Sequence, residues 1–152
     1  MAAASGKSGK RSGGKGSSAK PRPDYRTTLY LDENLCDCAK VLDVLRDASF
    51  PYERHLAHFP RGTLDEDWLA LPGRRGWAVL TKDKAQRYSP LEKAKIIEHQ
   101  LKIFAFSSGN LSGAEMANLL QINLGKLDRF ANKYPAPFVG SITKTGINLR
   151  TL

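Results

Sequence analysis

The stretch "GWAVLTKD", residues 76–83, carries the strongest structural signal in the chain. Trp77 to Leu80 is unbroken apolar sequence, as expected of a strand covered on both faces, and such strands belong to parallel sheets flanked by helices. Lys82 and Asp83 then stop the run. Upstream, "TTLYLD" (27–32) is a second short β-rich run that also ends on an acid, Asp32. Residues 52–58 read as a further strand, less apolar than the first, and "KIFAFSS" (102–108) as another.

Helical spacing fills the intervals. Leu35, Cys38, Val41, Leu42, Leu45 and Ala48 form an apolar stripe, with Asn34 as the expected N-cap and Pro51 barring continuation. "FPRGTLDEDWLAL" (59–71) supplies a turn, Thr63 as N-cap, and a short helix turning Trp68, Leu69 and Leu71 inward, ended or disturbed by Pro72-Gly73. Ser89-Pro90 opens a helix to about residue 100. "SGAE" (112–115) is a capping box, Ser at the N-cap and Glu at the third position, and its helix runs to about Lys133 before Pro135 and Pro137. Residues 138–150 hold a last strand, or a hairpin turned at Thr145-Gly146. Strand and helix alternating four times before a final strand argue for an α/β layered fold with a mostly parallel sheet.

The net charge of +9 is unevenly distributed. Six of the 24 basic residues and none of the 15 acids fall in residues 1–23, leaving +3 for the remainder. Residues 1–26 are Gly/Ser/Lys-rich and read as a disordered basic tail, one that could hold a polyanion or simply solubilise; residues 27–152 read as one domain. Cys36 and Cys38 are too few for a structural zinc site and read as reduced thiols on a helix. With no apolar run of about 18 residues and no apolar leader, no membrane association and a cytoplasmic location are expected.

Ligands of open parallel sheets sit outside the carboxyl ends of the strands. Asp32 ends the first strand, Asp83 the third, and Asp65 begins the helix after the second, so the three acids are expected to converge. Each also has a plainer explanation: Asp65, Glu66 and Asp67 suit the first turn of a helix, Asp83 a turn, Glu33 solvent. Converging carboxylates repel unless a cation lies between them, and hard oxygen donors favour Mg²⁺ or Mn²⁺, with Glu33 as a further candidate ligand. Lys82, Lys84 and Arg87 flank Asp83 and Arg61 precedes Asp65, a supply of positive charge for phosphate. No protein nucleophile is evident: Ser107 and Ser108 lack a partner base. His55 and His58 are expected on opposite faces of one strand.

"LYLDENL", "FPRGTLDEDWLAL", "GRRGWAVLTKDK" and "IFAFSSGNLSGAEMANLL", in that order and spacing, resemble the PIN-like domain family, and within it the branch related to VapC-type toxins. The resemblance covers about residues 27–147. It implies a three-layer α/β/α sandwich with a mostly parallel central sheet, metal-dependent cleavage of RNA, and acids at Asp32, Asp65 and Asp83. A toxin would have an antitoxin protein as partner, and a homodimer is allowed for. The family often carries a fourth acid after the next strand; here the sequence reads "SSGN", leaving Asn110 as a candidate substrate contact. Two other readings stay open: a non-catalytic α/β module binding nucleic acid or protein, and an aspartyl-phosphate phosphotransfer protein built on Asp32.

Overall fold

The structure, a computed structural model, describes residues 24–82, 89–107 and 110–152. The expectations for residues 1–23, Asp83, Lys84, Arg87 and Ser108 lie outside them. The described residues form, in chain order, β1 (Leu29–Leu31), α1 (Ala39–Asp47), β2 (Tyr52–Arg54), a 3-10 turn (His55–Ala57), α2 (Asp65–Trp68), α3 (Ala70–Arg75), β3 (Ala78–Thr81), α4 (Pro90–Glu98), β4 (Lys102–Phe106), α5 (Gly113–Lys133), β5 (Phe138–Thr143) and β6 (Gly146–Arg150).

The strands form one sheet in the order β2-β1-β3-β4-β5-β6. All neighbours are parallel except β5 and β6, a hairpin whose turn joins Thr143 to Gly146. Strand periodicity of two sorts the side chains into two layers. Leu29 and Leu31, Ala78 and Leu80, Phe104 and Phe106, Phe138 and Ile142 face one side, where α1 and α5 pack together over them. Tyr30, Val79, Ile103 and Val139 face the other, covered by Ile96 of α4 and by Trp68, Leu69 and Leu71 around α2 and α3. This is the expected α/β/α sandwich. The first layer holds most of the core, including Leu35, Leu45, Leu120 and Leu127, each fully buried.

Helix starts follow local chemistry where the sequence supplies it. Ser112 accepts from Glu115 N–H while Glu115 reaches back to Ser112 N–H, and Ser89 and Glu92 form a second capping box with Pro90 as the first helical residue. α1 departs from expectation. The carbonyl of Asp32 accepts from the backbone N–H of both Leu35 and Cys36, so residues 33–37 form a turn. The helix starts only at Ala39, with Cys38 rather than Asn34 at its N-cap. Both cysteines are free, Cys36 buried in that turn.

Pro72 and Gly73 do not end a helix. The break comes earlier, at Leu69, which closes α2 and opens α3. Pro72 then sits in the first turn of α3, where its missing N–H is one of the groups without a helical partner anyway. Leu64, not Thr63, is the N-cap of α2; the Thr63 hydroxyl donates to Pro60 O instead. α3 ends at Gly76, whose φ of 69° is the left-handed cap conformation. The second strand is also shorter than expected. It stops at Arg54, and the 3-10 turn brings His55 and His58 to the same side of the sheet, both against the Tyr30 ring.

At the chain's entrance, Asp128 Oδ1 on α5 accepts from the backbone N–H of Arg26 (3.0 Å) and Thr27 (2.8 Å), and Tyr25 packs on Phe50 with ring centroids 4.5 Å apart. The packed domain therefore starts at least two residues before Thr27. No helix among the described residues is long and apolar enough to cross a membrane.

Candidate functional site

The chain travels one way across the sheet from β1 to β2, then returns past β1 to β3. The carboxyl ends of β1 and β3 flank the point of reversal, where open α/β sheets bind ligands. A cleft of about 650 Å³ opens there. Its rim carries Asp32, Glu33 and Asn34 from the end of β1, Thr63 and Asp65 from the start of α2, and Thr81 and Lys82 from the end of β3. Its floor and far wall are apolar: Val79, Ile103, Ile96, Leu69 and Leu91, with Trp68 alongside.

Asp32 follows β1 in register with Thr81. Its N–H donates to Leu80 O, which continues the β1–β3 ladder, and the Thr81 hydroxyl donates to Asp32 Oδ2 at 2.5 Å. Asp32 is two residues past Tyr30 and so points to the same face of the sheet, toward the cleft. Asp65, the first residue of α2, is exposed, and its Oδ1 accepts from the indole Nε1 of Trp68 at 3.1 Å. Glu33 is half-buried; its Oε1 accepts from Gly62 N–H at 3.1 Å and lies 3.9 Å from His55 Nε2.

Beneath the acids lies an aromatic and imidazole cluster. The Tyr30 ring stacks on Trp68 (5.5 Å, 15°) and on Trp77 (6.1 Å, 17°), and its hydroxyl meets His55 Nδ1 at 2.5 Å. Burial holds the Tyr30 phenol far above its ordinary value, with the charges of Cys36 and Asp32 adding to the effect. His55 is 1% exposed, and burial lowers its pKa; Glu33 and Asp65 pull the other way, and His58 reinforces the lowering. The imidazole tautomer sets which of the two atoms donates in the Tyr30–His55 bond; the other ring nitrogen, Nε2, is buried and lies 3.9 Å from Glu33 Oε1.

Of the expected site residues, Asp32, Glu33, Asp65 and Lys82 share the cleft. Asp83, Lys84 and Arg87 lie outside the described residues. Asn110 is exposed in the turn before α5 and is not among the described residues that line the cleft. Arg61 turns to Asp37, with Nη2 to Oδ2 at 2.9 Å, and Asp37 also pairs with Arg54. Thr81, Trp68, Lys95 and Leu91 also line the cleft, unforeseen from the sequence. Among them only Thr81 had a local signal: alternation from Val79 puts it on the face of Tyr30 and Asp32.

Residues 28–108 match the family model described as PIN like domain, just over half the chain, and the match includes every acid of the cleft. The chain belongs to the PIN-like domain family. No curated protein and no solved structure matched it. PIN-like domains belong to a superfamily that commonly includes nucleases. Among the described residues the donor set of the PIN-like cleft is carboxylate oxygen, without thiolate or free imidazole, and suits a hard divalent ion. Among the described residues no three His, Cys, Asp or Glu side chains are close enough to share one. The described part offers Asp32 and Asp65, with Glu33 tied to Gly62 beside them.

Proposed function

We propose that this PIN-like domain is a ribonuclease that hydrolyses RNA phosphodiesters with Mg²⁺ or Mn²⁺. The observation that carries the reading is that Asp32 and Asp65, far apart in sequence, line one cleft at the point where the sheet reverses direction. Asp32 and Asp65 would hold the ion, joined by Asp83 on the strength of its sequence position and with Glu33 in reach of the same rim. When bound, such an ion polarises the phosphate and lowers the pKa of a water at neutral pH. The chain's own residues do the rest. Thr81 fixes the Asp32 carboxylate, Gly62 N–H fixes Glu33, and Lys82 supplies charge for the phosphate. The toxin branch, with an antitoxin protein that covers the cleft, belongs to the same reading through the sequence resemblance.

Asp32→Asn tests it directly. In Mg²⁺, the unaltered protein should cut a mixed-sequence RNA, and the variant should lose at least about a hundredfold in rate while melting within a few degrees of the parent. Undiminished cleavage by the variant removes Asp32 from the chemistry, and no cleavage by the parent in either Mg²⁺ or Mn²⁺ removes the nuclease reading.

A further inference from the structure

Metal-dependent hydrolysis of a phosphodiester uses carboxylates and positive charge, but half of the cleft is neither. Val79 of β3 and Ile103 of β4 form an apolar floor, Ile96 and Leu91 of α4 one wall, and Leu69 the other. Leu91 is 68% exposed. It stands at the mouth of the cleft on a helix that also brings Ile96 and the charged Lys95 and Glu92 to the cleft. Glu92 is occupied, its Oε1 accepting from Ser89 N–H at 2.9 Å. Lys95 lies one helical turn beyond Leu91 on the same face. Among the described residues, neither Lys95 nor Lys82 is in an ion pair. Lys82 therefore shares the rim with the carboxylates, and Lys95 stands on α4 with the apolar floor between them, in a volume typical of sites that engulf a small molecule.

We propose that the apolar half is a base-binding subsite, which takes one unstacked nucleobase of a single-stranded RNA while Lys82 and Lys95 hold the phosphates on either side of it. A base is flat, largely apolar on its faces and covalently tied to two anions, which is the pattern the cleft complements. A duplex would not satisfy it, since paired bases are stacked inside the helix and must be extruded to enter a pocket. The inference rests on the ribonuclease reading for what happens at the carboxylates, and it adds what selects and seats the strand.

The test is equilibrium binding of a labelled ten-nucleotide single-stranded RNA, with Ca²⁺ in place of Mg²⁺ and strand integrity checked on a gel. It is compared with the same strand carrying abasic nucleotides and with the matched duplex. The intact strand should bind about tenfold tighter than the abasic strand, the scale set by taking the apolar faces of one base out of water, and more tightly than the duplex. Leu91→Asn, a change at an exposed position, should weaken the intact strand by a similar factor and leave the abasic strand unaffected. Intact and abasic strands binding within twofold of one another, a duplex binding as tightly as the single strand, or no RNA binding at all would each overturn the subsite. Cleavage in Mg²⁺ is scored separately. Base-dependent binding without cleavage keeps the subsite and removes the nuclease; cleavage with base-independent binding does the reverse.

Discussion

The Thr81 hydroxyl donates to Asp32 Oδ2 at 2.5 Å and so locks the carboxyl end of β3 to that of β1. Thr81 is 6% exposed, and its neighbour across the ladder is the acid the nuclease reading depends on most. Bonds that orient a ligating carboxylate are worth roughly 10–100-fold in metal affinity or activity. Thr81→Val keeps the shape and removes the donor. Mn²⁺ affinity by calorimetry should fall about tenfold, and Thr81→Ser should recover most of it. Equal affinity in all three proteins would show that the bond does not position Asp32 for a cation.

His55 makes stability depend on pH. Its folded pKa lies below the ordinary 6.5, first because of burial. Below about pH 6.5 the unfolded chain therefore binds a proton that the folded chain refuses. The contribution of His55 is fully present above that value and is lost as the pH falls toward the lowered folded pKa, by no more than one proton's worth, about 1.4 kcal/mol per pH unit. Urea midpoints between pH 8 and pH 5 should fall with acidification in that window. His55→Gln, which still offers Tyr30 a partner, should flatten that part of the curve; an unchanged slope would assign it to other groups.

Much of this architecture could be read from local sequence because local physics produces it. A strand buried on both faces must be apolar throughout, so Trp77–Leu80 announces itself, and the capping box at Ser112 and Glu115 fixes where α5 begins. The misjudged places are those where distant partners overrule local preference. Asn34 is a good cap in isolation, but the Asp32 carbonyl gathers two N–H groups into a turn and postpones the helix. His55 and His58 alternate on paper, yet contacts with Tyr30, Trp68 and Trp77 hold them together on a 3-10 turn. Asp32 and Asp65 were legible as candidates because strand ends and helix starts define an edge. The apolar half of the cleft was not, since Leu69, Val79, Leu91 and Ile103 meet only in three dimensions.

Gly73 illustrates a residue whose role reverses once packing is known. It looks like a helix breaker, yet it lies inside α3, where an added Cβ would stand 2.4 Å from the backbone oxygen of His99 at the end of α4. Alanine would gain up to about 1 kcal/mol in helix propensity. It would also press on a backbone atom that cannot swing aside, and overpacking of that kind costs about 1–3 kcal/mol. Gly73→Ala should therefore lower the urea midpoint despite the better helix former. A raised midpoint would mean that α3 does not sit against α4 as described.

Adding the cation proposed for the cleft should stabilise the fold. Asp32, Glu33 and Asp65 bring like charge to one rim. An ion that binds only the folded chain adds RT ln(1 + [L]/Kd), about 2.7 kcal/mol at a hundred times Kd. Mn²⁺ should raise the melting temperature by several degrees, in a concentration-dependent way that EDTA reverses. The decisive control is Asp65→Asn. It removes one charge from the rim while the amide oxygen can still accept from Trp68 Nε1, so the metal-free protein should melt at or slightly above the parent value. Its gain with Mn²⁺ should shrink to less than half. A gain of equal size in parent and variant would place the cation elsewhere on the molecule and leave Asp65 as the helix-start acid that its position in α2 also explains.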